Sequence, residues 1–386
     1  MVATSDWEIG AIYAYDIIHN GKQNLENYRH HTKESLLEIL SQYNLSNNGK
    51  KPMSDTALKG MTTLQLKTLL AAIHRTNNLV DITSVHASAL PDADVLTYSF
   101  PCQDLSVARH WHHNTGGIDR SAHNRSSLLW QIERLLHEYV GIGKELPRFL
   151  LMENVSAILN RKNITNFHEW CSVLEGLGYV NQVYTLDARD FGVPQSRRRT
   201  YMLSVRADTP KQKEDVELYF LSHNLEDISL PNDKIRPIGD YLRLDYSNEV
   251  YRKEAIESTP NFTPSRERIF NNSRKLATDS TPNNQIVAGT ITTKQDRDPN
   301  SGIVVYDKEV LTESNTRYRN LTPRECFLLM GFQESDFDAL MENNKEVRQG
   351  VNLLNNSELI KLAGNSIVVP VLEEIFKQVE DIQQIV

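Results

Sequence analysis

The 386-residue sequence contains the run Val95-Leu-Thr-Tyr-Ser-Phe-Pro101-Cys102-Gln103, in which apolar residues lead directly into a proline and a cysteine. A short apolar run of this kind predicts a buried β-strand that ends near Phe100. Residues that follow such a strand lie at its carboxyl end, where open α/β sheets bind their ligands. Cys102 is therefore a candidate reactive residue, although a single buried cysteine is more often a small apolar side chain.

A second apolar run ends in a carboxylate. Phe149-Leu-Leu-Met152 predicts another buried strand and is followed at once by Glu153. Between the two runs, apolar residues at three- and four-residue spacing predict a helix over residues 127–139. In a strand, helix, strand unit both strand ends lie at the same edge of the sheet. The sequence thus predicts that Cys102 and Glu153 face one crevice.

A third segment brings several arginines towards a strand. Asp190-Phe-Gly-Val-Pro-Gln195-Ser-Arg197-Arg198-Arg199 precedes a predicted strand over residues 201–205. In an extended backbone alternate side chains share one side, so Gln195, Arg197 and Arg199 are expected opposite Arg198. Two guanidinium groups can then bind one anion or carbonyl group. A solvated run of charges is the plainer alternative.

The pattern along the chain predicts two domains, because the sequence is long for one hydrophobic core. Apolar runs alternate with helical patterns up to residue 206, which predicts an α/β domain with a mainly parallel sheet. Residues 207–316 are polar between short β-like pieces, which predicts a smaller domain of loops and strands. Residues 317–354 would return the chain through the small domain. Residues 355–386 would complete the first domain with a C-terminal helix. Gly364, within this range, would precede that helix.

Composition excludes several other classes of protein. Hydrophobic residues make up 39% and charged residues 24% of the chain, so it is neither disordered nor a coiled coil. No apolar run reaches the roughly 18 residues of a spanning helix, and the N-terminal residues do not resemble a signal peptide, so a cytoplasmic location is expected. Three widely spaced cysteines make no zinc motif, and we predict no metal. The net charge of -8 confines any nucleic-acid binding to local basic patches.

Five blocks, in this order along the chain, are similar to the DNA cytosine-C5 methyltransferases of bacteria and phages. They are Phe-Pro-Cys-Gln at 100–103, Glu-Asn-Val at 153–155, residues 190–199, residues 319–332 and Gly-Asn-Ser at 364–366. The resemblance covers nearly the whole chain. It implies a Rossmann-like catalytic domain and a target-recognition domain. It also implies methyl transfer from S-adenosylmethionine to C5 of a cytosine in double-stranded DNA, by a monomer of a restriction-modification, orphan or phage system.

The resemblance assigns the chemistry to four residues. Cys102 would add as a thiolate to C6 of a flipped-out cytosine, which makes C5 nucleophilic. Glu153 would hydrogen-bond the exocyclic amine and N3, and Arg197 would orient Glu153. Arg199 would hold O2 and lower the pKa of Cys102. Residues 104–125 resemble the mobile loop that closes over the base.

The resemblance also implies contacts to the cofactor and to DNA. Asp6 resembles the acid that binds both ribose hydroxyls, Trp7 the ring that packs on adenine, and Asp81 the acid at the adenine amine. The full set of implied cofactor residues is Asp6, Trp7, Asp81, Ile82, Pro101, Asn365 and Ser366. The implied DNA contacts are Gln103, Ser106, Arg125, Gln195, Thr290, Arg266 and Arg268.

One motif of the family is missing from the sequence. Family members begin with a strand and a Phe-x-Gly-x-Gly turn that holds the methionine moiety, and no such motif precedes Asp6. Gly141-Ile-Gly143 does not replace it, because it lies between a helix and a strand. We therefore expect a late start in the sequence, a second polypeptide that supplies the motif, or a catalytically silent DNA-binding relative. Ile9, Ile12 and Ile17 of the first helix, and the edge of the first strand, would then be left partly exposed.

A tRNA cytosine methyltransferase of the same superfamily is a further alternative. It would share the Pro-Cys-Gln motif but usually lacks so long a recognition segment. The Cys-Phe-Thr tripeptide that such enzymes usually carry does not occur in this sequence.

Overall fold

The computed structural model describes residues 1–101, 105, 118–120, 125–228, 230, 235–295, 299–306 and 316–386. Within these ranges the helices are α1 (Ile9–Asn20), α2 (Lys33–Leu40), α3 (Asp55–Lys59), α4 (Thr63–Arg75), α5 (Leu129–Gly141), α6 (Ile164–Gly176), α7 (Pro210–Ser222), α8 (Glu249–Glu257), α9 (Pro264–Asn272), α10 (Pro323–Leu328), α11 (Glu334–Asn343), α12 (Asn356–Asn365) and α13 (Val369–Ile382). The strands are β1 (Val95–Ser99), β2 (Phe149–Val155), β3 (Tyr179–Asp187), β4 (Arg198–Arg206), β5 (Lys275–Thr278), β6 (Thr281–Pro282), β7 (Ile303–Val305), β8 (Tyr318–Arg319), β9 (Glu346–Arg348) and β10 (Val351–Asn352).

The main sheet has the strand order β1-β2-β4-β3 and is flanked by helices, which confirms the predicted α/β class. β1 and β2 are parallel, as the crossover through α5 requires. β4 runs antiparallel to both β2 and β3, so the described sheet is mixed, and the prediction of a mainly parallel sheet is wrong. The reason is the short connection from β3 to β4, in which Gly192 has a φ of 84° and lets the chain reverse direction.

Both faces of this sheet are covered, because β2 and β4 are apolar on both sides. Leu151 and Leu203 pack on one face with Ile375 of α13. Met152 packs on the opposite face with Trp170 of α6. Alternate residues of one strand therefore enter different cores, and this burial on both faces explains the near-continuous apolar runs in the sequence.

Helix α1 packs more completely than the sequence predicted. Ile12 and Ile17 are 2% and 1% exposed, so the expectation of a partly bare apolar face is wrong for these two residues. They are covered because α4 and α11 both pack against α1. The segment before α1 forms no strand; Thr4 makes a single parallel bridge with Asn78.

Residues 207–316 contain short strands and also helices. A second sheet has the order β6-β5-β7-β8 and carries a small apolar cluster. The described part of this segment includes α7, α8 and α9, so the prediction of a β-rich segment is corrected. Helix α9 has no fully buried residue and α8 only Ala255, which leaves little apolar periodicity to reveal them.

Two helices of the C-terminal part begin with clear local features. Thr322 caps α10 and exchanges hydrogen bonds with Glu325, as its sequence pattern predicts. Helix α13 begins at Val369. Helix α12 precedes it, and Gly364 lies within α12. None of the described helices is long and apolar enough to cross a membrane.

Candidate active site

The carboxyl ends of β1 and β2 bring Glu153 beside the segment that leads to Cys102. Ser99 is the direct partner of Glu153 in the parallel register, and its hydroxyl donates to Glu153 Oε2 at 3.1 Å. Asn154 Nδ2 donates to the Phe100 carbonyl at 3.0 Å. The Ser126 hydroxyl donates to the Pro101 carbonyl at 2.6 Å. Cys102 itself lies outside the described residues, but both chain segments that flank the crevice are held by side-chain hydrogen bonds.

Arg199 is the ion-pair partner of Glu153. In the antiparallel register Glu153 lies opposite Tyr201, so Arg199, two residues away on β4, points to the same face of the sheet. Its Nε lies 3.4 Å from Glu153 Oε1. The positive charge of Arg197 also acts on Glu153, so the role of Arg197 in orienting Glu153 stays a prediction.

Arg197 is 3% exposed and binds three backbone carbonyl groups. Its guanidinium donates to the carbonyls of Ile291, Gly364 and Ser366 at 3.0, 3.1 and 2.9 Å. These carbonyls belong to segments separated by more than 70 residues. Arg197 therefore joins the segment that contains Thr290 to the end of α12.

The predicted alternation at the start of β4 is confirmed, but it places Gln195 in the interior. Gln195 is 0% exposed, its Nε2 donates to the Leu329 carbonyl at 2.7 Å, and its Oε1 accepts from Ile291 N at 2.9 Å. A side chain that is buried and hydrogen-bonded in this way does not contact DNA. The predicted DNA contact at Gln195 is therefore corrected to a structural role that supports the neighbouring Thr290.

Burial raises the pKa of Glu153, since desolvation disfavours the ionised carboxylate. The positive charges of Arg199 and Arg197 and the hydrogen bond from Ser99 act in the opposite direction. The carboxyl group is 8% exposed and lies at the edge of the crevice. A carboxyl group with a raised pKa is a candidate general acid.

A large cleft of about 550 Å³ opens between the N-terminal segment, α1, β1, α5 and the end of α12. Its wall is apolar along β1 and α5, where Leu96, Tyr98 and Ile132 contribute side chains. Four of the predicted cofactor residues line it directly: Asp6, Ile82, Asn365 and Ser366. The N-terminal segment and the end of α12, which are distant in sequence, thus line the same cleft.

Asp6 lies where water reaches its carboxylate while protein surrounds it on most other sides. This partial desolvation raises its pKa to about 6, against the effect of the hydrogen bond that Glu8 N–H donates to Oδ1 at 2.8 Å. Lys361 of α12 forms an ion pair with Glu8. Oδ2 of Asp6 accepts no hydrogen bond from any residue that the structure describes, so it remains open to a hydroxyl donor.

The other predicted cofactor residues differ in how their side chains are placed and bonded. Trp7 is half-buried and packs on the cluster formed by α2 and α4. Asp81 accepts from Thr83 N at 2.9 Å within its own loop and from the side chain of Asn44, 37 residues away, so its carboxylate already has hydrogen-bond partners. The Ile82 carbonyl accepts from Arg134 of α5 at 2.9 Å. Pro101 is half-buried at the end of β1.

The predicted DNA contacts outside the crevice lie on helix α9 and in the segment around Thr290. Thr290 donates its hydroxyl to the Ser196 carbonyl at 2.7 Å. Arg266 is half-buried on α9 and Arg268 is exposed there. Gln103 and Ser106 lie outside the described residues, as does most of the predicted loop 104–125. Arg125 begins a helical turn, Arg125–Leu128, but its side chain is not described.

Two polar residues of the site were not recognised in the sequence. Ser99 could have been predicted from the sequence, because it is the residue before Phe100 and faces Glu153 in the parallel register. Asn78, which is 5% exposed and hydrogen-bonds the backbone of Asp6, belongs to no recognisable motif. Among the described residues no group of three or more His, Cys, Asp or Glu side chains is arranged to hold a metal ion.

The fold is shared with known methyltransferases. A Dnmt2 methyltransferase from S. pombe superposes with a TM-score of 0.51 at 19% identity, covering 78% of this chain and 84% of that one. A Spodoptera frugiperda DNMT2 variant gives 0.52 at 17% identity, covering 82% and 89%. Identities this low establish the architecture alone, an α/β methyltransferase fold.

Sequence similarity is more specific. Residues 53–381 match the family of C-5 cytosine-specific DNA methylases, and the chain belongs to that family. It is 31% identical over 382 residues to the orphan methyltransferase M.SssI of Spiroplasma monobiae, a match that covers 98% of this chain and 90% of the relative. It is 32% identical over 316 residues to the type II methyltransferase M2.ScrFI of Lactococcus lactis subsp. cremoris, covering 81% and 74%.

Proposed function

We propose that this protein transfers a methyl group from S-adenosylmethionine to C5 of a flipped-out cytosine in double-stranded DNA, in an orphan or restriction-modification system. The observation that supports this most directly is the arrangement of Glu153 and Arg199 beside the end of β1, where Pro101 and Cys102 follow. Carboxyl, guanidinium and thiol groups of one crevice can then address different atoms of one pyrimidine ring.

The first step is nucleophilic addition by Cys102. Its thiolate forms a bond to C6, and the electron pair of the C5–C6 double bond moves through the ring towards N3. An unperturbed thiol has a pKa near 8.5, so only about 3% is ionised at pH 7. The guanidinium of Arg199, at the same edge of the sheet, provides positive charge that favours the thiolate.

Glu153 acts on the opposite side of the ring. Burial raises its pKa above the ordinary carboxyl value, and in the proposed mechanism it donates a proton to N3 as C6 is attacked while its other oxygen accepts from the exocyclic amine. The Ser99 hydroxyl and Arg199 fix the position of the carboxyl group. Arg197 keeps the segment around Ile291 and the end of α12 against the crevice.

The reaction closes by reversing the addition. S-adenosylmethionine, when bound, supplies the methyl group that C5 takes. A base removes the proton from C5, the C5–C6 double bond re-forms, and the Sγ–C6 bond breaks to release the Cys102 thiolate. Glu153 recovers its proton from N3. Because these ring atoms are inaccessible in a stacked duplex, the cytosine must leave the helix at a cost of a few kcal/mol.

The cleft fits the proposed cofactor in size and in the chemistry of its polar groups. Asp6 offers a carboxylate oxygen for the ribose hydroxyls, and Ile82 offers apolar surface for the adenine ring. Trp7, next to Asp6, packs on the cluster formed by α2 and α4. Asn365 and Ser366 lie nearer to the crevice, because Arg197 binds the Ser366 carbonyl. These residues would bind and orient the cofactor with its methyl group towards the pyrimidine.

Cofactor affinity is expected to fall about tenfold between pH 7 and pH 5, because Asp6, with a pKa raised to about 6, changes from mostly ionised to mostly protonated. A protonated carboxyl group accepts fewer hydrogen bonds from the ribose hydroxyls. Titration calorimetry with S-adenosylhomocysteine at several pH values measures this. Asp6→Asn should bind weakly at every pH. A flat profile for the unmodified protein would contradict the role of Asp6.

Residues 207–316 are proposed to recognise the DNA target. Thr290 immediately precedes Ile291, whose backbone Gln195 and Arg197 bind, and we propose that it lies next to the flipped nucleotide. Arg268 on α9 is exposed and available to a phosphate group. Residues 317–354 and 355–386 would connect this domain to the catalytic domain and complete the latter.

We further propose that a second polypeptide contributes a strand, turn and helix to the open side of the cleft, and that the assembled unit binds DNA as a monomer. β1 is the terminal strand of the described sheet, and apolar side chains such as Leu96 and Ile132 line the cleft beside it. A further strand would cover both the sheet edge and these side chains.

The proposed function is tested by incubating the protein with tritiated S-adenosylmethionine and either duplex DNA or tRNA. We expect label in DNA alone, at cytosine C5, with bisulfite sequencing locating the target. One arm of the assay adds a polypeptide that carries a Phe-x-Gly-x-Gly strand and turn, and its activity should exceed that of the protein alone. Labelled tRNA would indicate the alternative substrate. DNA binding without label in either arm would indicate a catalytically silent relative.

A further inference from the structure

The short segment after α4 has an unusual backbone. Asn77 has a φ of 45° and Val80 a φ of 61°, both in the left-handed region. A β-branched residue such as valine rarely adopts this conformation, because its side chain crowds the backbone. Val80 is 3% exposed, so packing holds it in place. A strained conformation of this kind persists only where neighbouring interactions impose it, and such segments are concentrated at functional sites.

Asn78, between these two residues, makes three hydrogen bonds with its side chain. Oδ1 accepts from Asp6 N at 3.1 Å and from Val80 N at 2.8 Å, while Nδ2 donates to the Asp6 carbonyl at 3.1 Å. The amide therefore clamps both backbone polar groups of Asp6 and also stabilises the left-handed turn at Val80. Its 5% exposure protects these bonds from competition by water.

This clamp connects the two sides of the adenosine end of the cleft. On one side it fixes the backbone from which the Asp6 carboxylate projects. On the other side it fixes Val80, which precedes Asp81 and Ile82. The Ser5 hydroxyl adds a second link, donating to the Val80 carbonyl at 3.2 Å. Among the described residues, the β-bridge between Thr4 and Asn78 is the one β-type pairing between these two segments.

We propose that Asn78 is a positioning residue that sets the Asp6 carboxylate and the turn before Asp81 for recognition of the ribose and adenine of S-adenosylmethionine. This inference rests on the proposed function of the cleft. The physical reason is that no regular strand holds Asp6. Without the Asn78 amide, the segment before α1 would depend on backbone contacts and on the side-chain hydrogen bonds of Thr4, Ser5 and Asn77, which hold other residues, and the ribose-binding oxygen would lose its fixed direction.

The test compares Asn78→Ala with Asn344→Ala. Asn344 makes a similar pair of bonds elsewhere, donating to the Leu354 carbonyl at 2.7 Å and accepting from Leu354 N at 2.9 Å, away from this cleft. Asn78→Ala should raise the KM for S-adenosylmethionine and the Kd for S-adenosylhomocysteine about tenfold, the effect of one or two lost hydrogen bonds, with kcat within about twofold. Asn344→Ala should lower the melting temperature similarly and leave both constants unchanged.

A third variant protects the test against misfolding. Ser5→Ala removes only an exposed hydroxyl and should raise the Kd about twofold to threefold. If Asn78→Ala does not fold, Ser5→Ala decides: a higher Kd supports the inference and an unchanged Kd overturns it. Equal cofactor binding by folded Asn78→Ala and the unmodified protein also overturns it. Failure of the unmodified protein to bind S-adenosylhomocysteine, by contrast, would refute the proposed function of the cleft itself.

Discussion

Replacement of Cys102 by alanine is expected to lower methyl transfer to DNA by at least about 10⁴-fold, because the addition to C6 has no other nucleophile. The two other cysteines are poor candidates. Burial raises the pKa of Cys171 to about 11, and it raises the pKa of Cys326, which is 0% exposed. Both thiols therefore stay protonated at neutral pH and are far less nucleophilic than a thiolate.

Covalent trapping measures this effect directly. Duplex DNA that contains 5-fluorocytosine cannot lose a proton from C5, so the Sγ–C6 bond should persist and a denaturation-resistant adduct should accumulate. Cys171→Ala is the matched control, since Cys171 lies on α6 with its Sγ 3.8 Å from Met202 Sδ, and this variant should form the adduct normally. Adduct formation by Cys102→Ala would show that the nucleophile has been misassigned.

The second large effect is expected for Glu153→Gln. The amide has nearly the same size and can still accept from the Ser99 hydroxyl, so the fold and DNA binding should be preserved. It cannot deliver a proton to N3, and we expect kcat to fall by roughly 10²- to 10⁴-fold, the usual contribution of a positioned general acid. Steady-state assays that vary the DNA concentration separate kcat from KM.

A readout of the first chemical step sharpens this prediction. Addition of Cys102 to C6 labilises the C5 proton, so release of tritium from C5-labelled DNA should fall in parallel with kcat. Glu145→Gln provides the control, because it removes the partner of Arg206 at the far end of β4. Normal tritium release by Glu153→Gln would mean that the carboxyl group acts after the addition and does not assist it.

Local patterns in the chain were sufficient to predict much of the catalytic half. Apolar runs placed β1, β2 and β4, and helical spacing placed α5, because these periods depend on residues close together in sequence. The same reasoning separated Arg197 and Arg199 from Arg198, since side chains alternate along an extended backbone. The order of the motifs, taken together, was enough to predict the family.

Pairings between distant segments required the folded chain. The register of β2 against β4 assigned the Glu153 ion pair to Arg199, and no sequence window contains that register. In the sequence Gln195 resembles a surface residue. In the fold its side-chain amide binds Leu329 and Ile291, which are 134 and 96 residues away. Asn78 belongs to no motif. It contributes because folding brings Asp6 against the end of α4, where the Asn78 side chain binds the Asp6 backbone. Side-chain periodicity is a property of neighbouring residues, whereas burial and hydrogen-bond partners depend on contacts that form only when the whole chain has packed.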